Sequence, residues 1–235
     1  MAEWGVLTYY CAFTLVLIAY LLGSIPSAVW IGKKYYGIDI REHGSKNAGT
    51  TNMLRVLGKK AAIPVFIIDY FKGFSAVQLT FIMKFDDAVS PAWLINLRLI
   101  ATAAVVLGHI FPIFADFKGG KGVATLLGAG TGIYPPLVLL CFAIWCVVFA
   151  IWHYVSLASM IAGCCYPIFV MVFSTTIYDP AAPFLSVPFI IFSWAVGFML
   201  VWTHRKNIER LRKGTESKIY IWVKPDEERS KEKRE

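Results

Sequence analysis

Long apolar stretches separated by short polar ones run the length of this 235-residue chain. Trp4–Gly32 (29 residues), Gly122–Trp152 (31), Tyr154–Ile177 (24) and Pro180–Trp202 (23) contain no Asp, Glu, Lys or Arg. Two further runs, Ala61–Met83 and Ala88–Ala115, contain only Asp69, Lys72 and Arg98. A helix needs about 20 apolar residues to cross the hydrocarbon core of a bilayer, so these runs predict membrane helices. The 31-residue run is too long for one crossing, about 46 Å of helix against a core of about 30 Å. Pro135-Pro136 divides it, because proline removes a backbone donor and disfavours helix at the residue before it. Seven spans follow, the first within 4–32 and the others near 61–83, 92–115, 122–133, 136–152, 156–177 and 185–203. The fourth, about 17 Å long, must lean on neighbouring protein or a thinned bilayer.

The polar segments orient these spans. Residues 33–60 hold seven Lys/Arg, residues 116–121 hold Lys118 and Lys121, and residues 205–234 hold eleven. With the N-terminus outside and the C-terminus inside, 20 of the 23 basic residues lie inside; six spans would put the last eleven outside. The expected fold is thus all-α and polytopic, a seven-helix membrane domain over residues 1–204 with a charged cytoplasmic tail over 205–235. The first run has no basic n-region and exceeds the usual signal-peptide core, so it is expected to be retained.

Composition narrows the function classes. At 57% hydrophobic and 16% charged residues, a soluble domain is excluded. The net charge of +8 flanks the spans instead of forming a soluble face, so no nucleic-acid partner is expected. The five cysteines lie within apolar runs, without metal or redox spacing. No metal and no cofactor is expected.

Four polar clusters fall on the inner side. Gly44–Arg55 mixes glycine, hydroxyl, amide and basic residues, the equipment for holding phosphate oxygens. If it turns helical near Thr50, Thr51 and Arg55 share one face and the first amides point toward an anion. Phe117–Gly122 places glycines between Lys118 and Lys121, but neither lysine is followed by the Ser/Thr of a Walker A loop. Ser156 and Ser159 stand at the inner end of a span, and His204 and Asn207, three apart, where the last span emerges. Asp69 and Lys72, also three apart, are expected to pair within the second span. Each cluster alone also suits a structural role, as a cap, a topogenic loop or a snorkelling girdle.

There is no nucleophile elbow and no His/Cys/Asp metal cluster. No histidine is followed at +5 by the aspartate of soluble-type glycerolipid acyltransferases. A transporter for an organophosphate anion, or a membrane scaffold, would use similar loops. The lack of a repeat and the gathering of polar groups at one surface speak against transport.

Taken in order, several segments together resemble one family. They are Gly23-Ser24-Ile25-Pro26, Asp39-Ile40-Arg41, the Gly44–Arg55 stretch, Gly108-His109-Ile110-Phe111-Pro112, Phe117–Thr125, Ser156-Leu157-Ala158-Ser159 and His204-Arg205-Lys206-Asn207-Ile208. The family is the bacterial acyl-phosphate:glycerol-3-phosphate acyltransferase, an integral membrane enzyme, and the resemblance runs from about residue 15 to 220. Lys46 stands where the family often has glycine. The resemblance implies a seven-helix protein of the bacterial cytoplasmic membrane whose site faces the cytoplasm. It implies acyl transfer from acyl phosphate to the 1-hydroxyl of glycerol 3-phosphate, giving lysophosphatidic acid and phosphate for phospholipid synthesis. The donor would come from a soluble acyl-phosphate-producing enzyme. By position, Ser45, Asn47, Thr51 and Lys121 would hold the donor phosphate, with Ser159 or Ser156 steadying the acyl-phosphate group. Arg55, His204 and Asn207 would hold glycerol 3-phosphate, with Asn52 and Lys118 as second choices.

Overall fold

The computed structural model describes residues 5–85, 89–176 and 186–220, and among these residues every regular element is helical. The first apolar run does not form one helix. It gives α1 (Val6–Gly23) and α2 (Ser27–Tyr36), interrupted at Ser24–Pro26, where proline cannot donate to the helical ladder. A 3-10 turn, Ile40–Glu42, precedes the short α3 (Thr50–Leu57), and α4 (Lys59–Gln78) follows directly. The remaining helices are α5 (Pro91–Ile110), α6 (Val123–Ile133), α7 (Pro135–Trp152), α8 (Val155–Thr176), α9 (Val187–Thr203) and α10 (Arg205–Arg212). The proline pair divides the 31-residue run as expected: Tyr134 is extended, at φ −152° and ψ 91°, and Pro135 opens α7.

Five segments are long and apolar enough to cross a membrane: Val6–Tyr36, Lys59–Met83, Pro91–Ala115, Pro135–Trp152 and Val155–Phe173. Counting α9 with α10, which bends from it by 55°, gives a sixth; α6 is apolar but shorter. Large side chains such as Phe13, Phe71, Leu139 and Phe198 face outward, as a hydrocarbon solvent permits.

The helices pack as two groups. In one, α1 lies along α5 and α4 along α6; in the other, α8 lies between α7 and α9. Lipid offers little drive for helices to associate, so small residues that admit close backbone contact decide where they meet. On α4, a Cβ on Gly73 would come 2.0 Å from the Thr125 carbonyl oxygen of α6; on α6, one on Gly128 would come 1.9 Å from that of Tyr70. A shared cluster that includes Val77, Ile95, Leu137, Val170 and Phe189 joins the two groups.

The expected Asp69–Lys72 pair forms at 2.9 Å, buried on α4. Ser27 donates to Asp69 at 2.8 Å, and Lys72 donates to the Ile25 carbonyl at 3.2 Å. The pair therefore serves the break between α1 and α2, where carbonyls have lost their helical partners.

Gly128→Val is expected to lower the thermal unfolding midpoint in detergent by several degrees, for about 1–3 kcal/mol of overpacking. Gly5→Ala, where an added Cβ meets nothing within 4 Å, should leave it unchanged.

Candidate active site

A cavity of about 400 Å³ opens between the two helix groups. One end is polar and takes its walls from four chain segments; the other, between α6, α7, α8 and α9, is lined by residues such as Ile133, Val138, Tyr166 and Phe192.

The first polar wall is the loop before α3. Asn52, 1% exposed, staples this loop: its Oδ1 accepts the Ser45 N–H at 2.8 Å, and its Nδ2 donates to the carbonyls of Ile40 (3.1 Å) and His43 (3.0 Å). Asn52 thereby shapes the turn that presents Ser45 and Asn47 to the cavity. Lys46 adopts φ +58°, a backbone state that glycine reaches without strain. Helix α3 starts at Thr50, and Thr51 and Arg55, four residues apart, both face the cavity. The Thr50 hydroxyl and the Arg55 Nε are buried without a protein partner. Burial pulls the Arg55 pKa below its ordinary value, and Arg210 adds to this while Glu216 opposes it. The guanidinium stays charged in any case.

The second wall is the loop between α5 and α6. Arg41 ties it to the first, donating to Asp39 and, at 2.8 Å, to the Ala115 carbonyl. The Arg41 guanidinium holds the Asp39 carboxyl well below the usual carboxylate range. Gly119 and Gly120 lie against His109: a Cβ on Gly119 would come 2.0 Å from the His109 carbonyl oxygen, and one on Gly120 would come 2.2 Å from its Nε2. The His109 Nδ1 lies 3.1 Å from Thr125 Oγ1 and 3.7 Å from Asp69. Only glycines let the loop settle onto this imidazole, and doing so brings Lys121 into the cavity wall. Lys118 is exposed on the same loop and lines no part of the cavity.

The third and fourth walls share a carboxylate that the sequence reading missed. Glu216, 8% exposed, accepts from Ser156 (2.8 Å) and Asn207 Nδ2 (2.6 Å) on one oxygen and from Arg210 Nε (2.6 Å) on the other. Burial alone would raise its pKa, but these three donors more than reverse that and lower it. The Asn207 Oδ1 accepts from Lys121 Nζ, so an acceptor at one end and a donor at the other fix the amide orientation. His204 lies 2.7 Å from the Leu200 carbonyl through Nδ1, which must donate, leaving Nε2 for the cavity. Ser159 donates to the Val155 carbonyl at 2.8 Å and accepts from the Trp145 indole at 3.1 Å. A carboxylate between basic residues was the available signal for Glu216; nothing local marked Trp145.

Ser45, Asn47, Thr51, Asn52, Arg55, Lys121, Ser156, Ser159, His204 and Asn207 therefore border one cavity, from segments up to 162 positions apart. Cationic and donor groups gather at one end and an apolar slot extends from it, a geometry suited to an anionic headgroup carrying a hydrocarbon chain.

Comparison with known proteins agrees. Residues 13–214 match the family model described as glycerol-3-phosphate acyltransferase. The chain is 41% identical over 207 residues to the glycerol-3-phosphate acyltransferase of Fusobacterium nucleatum, covering 88% of this chain and 97% of the relative. It is 37% identical over 230 residues to that of Chlorobium phaeobacteroides, covering 88% and 97%. The crystal structure of PlsY (YgiH), an integral membrane glycerol 3-phosphate acyltransferase, in its glycerol 3-phosphate form superposes with a TM-score of 0.75 at 36% identity. That match covers 89% of this chain and 96% of the other. The lysophosphatidic acid form gives 0.72 at 35%, covering 89% and 95%.

The Lys121 ammonium is pushed down to about 8, chiefly by burial; Glu216 opposes the shift, and Arg210 and Arg55 add to it. The charged form is present below that pH and lost above it. Sulfate, whose charge is constant in this range, should bind the free site more weakly as pH rises through about 8. Lys121→Arg should hold the affinity level; calorimetric titration at pH 6.5 to 9.5 checks both.

Proposed function

Given that the chain belongs to the glycerol-3-phosphate acyltransferase family, we propose that its acyl donor is acyl phosphate and its product lysophosphatidic acid. The acceptor's 1-hydroxyl oxygen attacks the acyl carbon, the bond from that carbon to the phosphate oxygen breaks, and inorganic phosphate leaves. Acyl phosphate is already activated, so no protein nucleophile is required. The hydroxyl proton passes to the departing phosphate, so no protein base is required either.

One observation carries this reading: Arg55, Lys121, His204 and Asn207 meet Ser45 and Thr51 at the polar end of a cavity whose other end is apolar. Ser45, Asn47, Thr51 and Lys121 hold the donor phosphate, and Ser159 steadies the acyl-phosphate group. Ser156 gives its hydrogen to the Glu216 carboxylate and Ser159 gives its own to a backbone carbonyl, the weaker acceptor, so Ser159 is the serine whose hydrogen turns more readily. Arg55, His204 and Asn207 hold glycerol 3-phosphate. Asn52 acts by shaping the loop, and Lys118 adds exposed positive charge. Holding both reactants in line supplies several kcal/mol, up to about 7–11, toward the barrier. The cations offset the charge that develops on the carbonyl and the leaving phosphate. The glycerol 3-phosphate and lysophosphatidic acid forms of the solved relative support the acceptor and product.

In the same reading α1 with α2, α4, α5, α6, α7, α8 and α9 make seven crossings, N-terminus outside, in the bacterial cytoplasmic membrane. The basic loops, and with them the site, face the cytoplasm, where a soluble enzyme supplies acyl phosphate. Residues 1–204 form the membrane domain. The charged stretch from 205 is cytoplasmic, and its first part supplies Asn207 and Glu216 to the site.

Purified protein given palmitoyl phosphate and labelled glycerol 3-phosphate in detergent should form labelled lysophosphatidic acid and phosphate. Absence of product, with labelled glycerol 3-phosphate instead crossing proteoliposome membranes, would make the protein a transporter. Arg55→Lys, which loses bidentate phosphate holding, should cost at least about tenfold in kcat/KM for glycerol 3-phosphate. Unchanged kinetics would remove Arg55 from the acceptor site.

A further inference from the structure

The indole of Trp145 lies in the cavity wall and makes a polar contact that the proposed chemistry does not use. It sits on α7 between Phe142, with ring centroids 6.0 Å apart and planes at 6°, and Phe149, at 5.0 Å and 18°. These two rings fix the plane of the indole, and hence the plane in which its N–H points. An indole N–H among apolar helices needs an acceptor. Trp145 finds one 3.1 Å away in the Oγ of Ser159, on the neighbouring α8.

Ser159 is 3% exposed, and its single hydrogen goes to the Val155 carbonyl one turn back. A serine hydroxyl has one hydrogen and two lone pairs. With the hydrogen on Val155 and one lone pair on Trp145, Ser159 has nothing to offer an anionic ligand. To donate to the donor's phosphate or carbonyl oxygen it must swing that hydrogen away from Val155. Rotation about the Cβ–Oγ bond moves the hydrogen and leaves the oxygen in place. Of the two hydrogen bonds that hold this rotamer, the one from Trp145 is then the one that remains.

We propose that Trp145 is a positioning residue for acyl transfer: its indole N–H anchors Ser159 Oγ while the hydroxyl hydrogen turns from the helix to the acyl donor. The anchoring bond also polarises the hydroxyl and strengthens its outward donation, as hydrogen bonds in series do. The inference rests on the reading of Ser159 as a donor-side residue. It assigns the aromatic row of α7 a second task beyond walling the apolar slot.

A double-mutant cycle tests it, with Trp145→Phe keeping the ring stack and removing the N–H, and Ser159→Ala removing the hydroxyl. In the Ser159 background, Trp145→Phe should lower kcat/KM for acyl phosphate about fivefold, the worth of one hydrogen bond, and leave KM for glycerol 3-phosphate unchanged. In the Ser159→Ala background the same substitution should have no further effect. An equal drop in both backgrounds, or no drop in either, overturns the proposal while leaving Ser159 in its role. Full activity of Ser159→Ala itself would remove that serine from the donor site, and the proposal with it. Should Trp145→Phe fail to fold, β-(3-benzothienyl)alanine at position 145 replaces the N–H by sulfur at constant shape and puts the same outcomes to the test.

Discussion

A charge enclosed by apolar helices must find its partners within the protein, and two carboxylates organise this structure around that requirement. Asp69 gathers Ser27 and Lys72, with His109 close by, where the first apolar run breaks. Glu216 gathers Ser156, Asn207 and Arg210 where the last helices meet the α7–α8 turn. Removing a carboxylate from water costs several kcal/mol, and attraction to a cation alone seldom offsets that. Each therefore accepts a neutral hydrogen bond as well. In doing so each fixes a helix end: Asp69 the start of α2 through Ser27, Glu216 the start of α8 through Ser156.

The same requirement, left incompletely met, marks the polar end of the cavity. The Arg55 Nε and the Thr50 hydroxyl have no protein partner, and Lys121 meets the neutral amide oxygen of Asn207. Arg55, Lys121 and Arg210 act on one another, with Glu216 opposing them. An excess of enclosed cationic and donor capacity is what two phosphate-bearing reactants would complete. In the proposed division of labour Ser45, Thr51 and Arg55 come from the first wall, His204 and Asn207 from the last helices, and Lys121 bonds the Asn207 amide.

Close backbone contact supplies the rigidity this arrangement needs. Gly73 and Gly128 let α4 and α6 touch, while Gly119 and Gly120 let the loop rest on His109. A methyl group at Gly119 or Gly120 would push the loop that carries Lys121, and one at Gly73 or Gly128 would push α6, which follows that loop. In a membrane, where apolar surface gains little by leaving lipid, such steric fits take over much of the role that hydrophobic burial has in water.

Read alone, the chain specified the helical class, the break at Pro135, the pairing of Asp69 with Lys72 and most of the polar residues that line the cavity. Those features follow from composition, proline chemistry, three-residue spacing and local runs of donors. The proline of the Ser24–Pro26 interruption was visible in the chain, and the uncharged run around it still makes one segment, Val6–Tyr36, long enough to cross. It took the assembled fold to show that Glu216 joins Ser156 to Asn207, that Asn52 spends its amide on the loop, and that Trp145 meets Ser159. Each of those facts depends on which helix faces lie together, and apolar faces of similar strength leave that choice to packing between segments far apart in the chain.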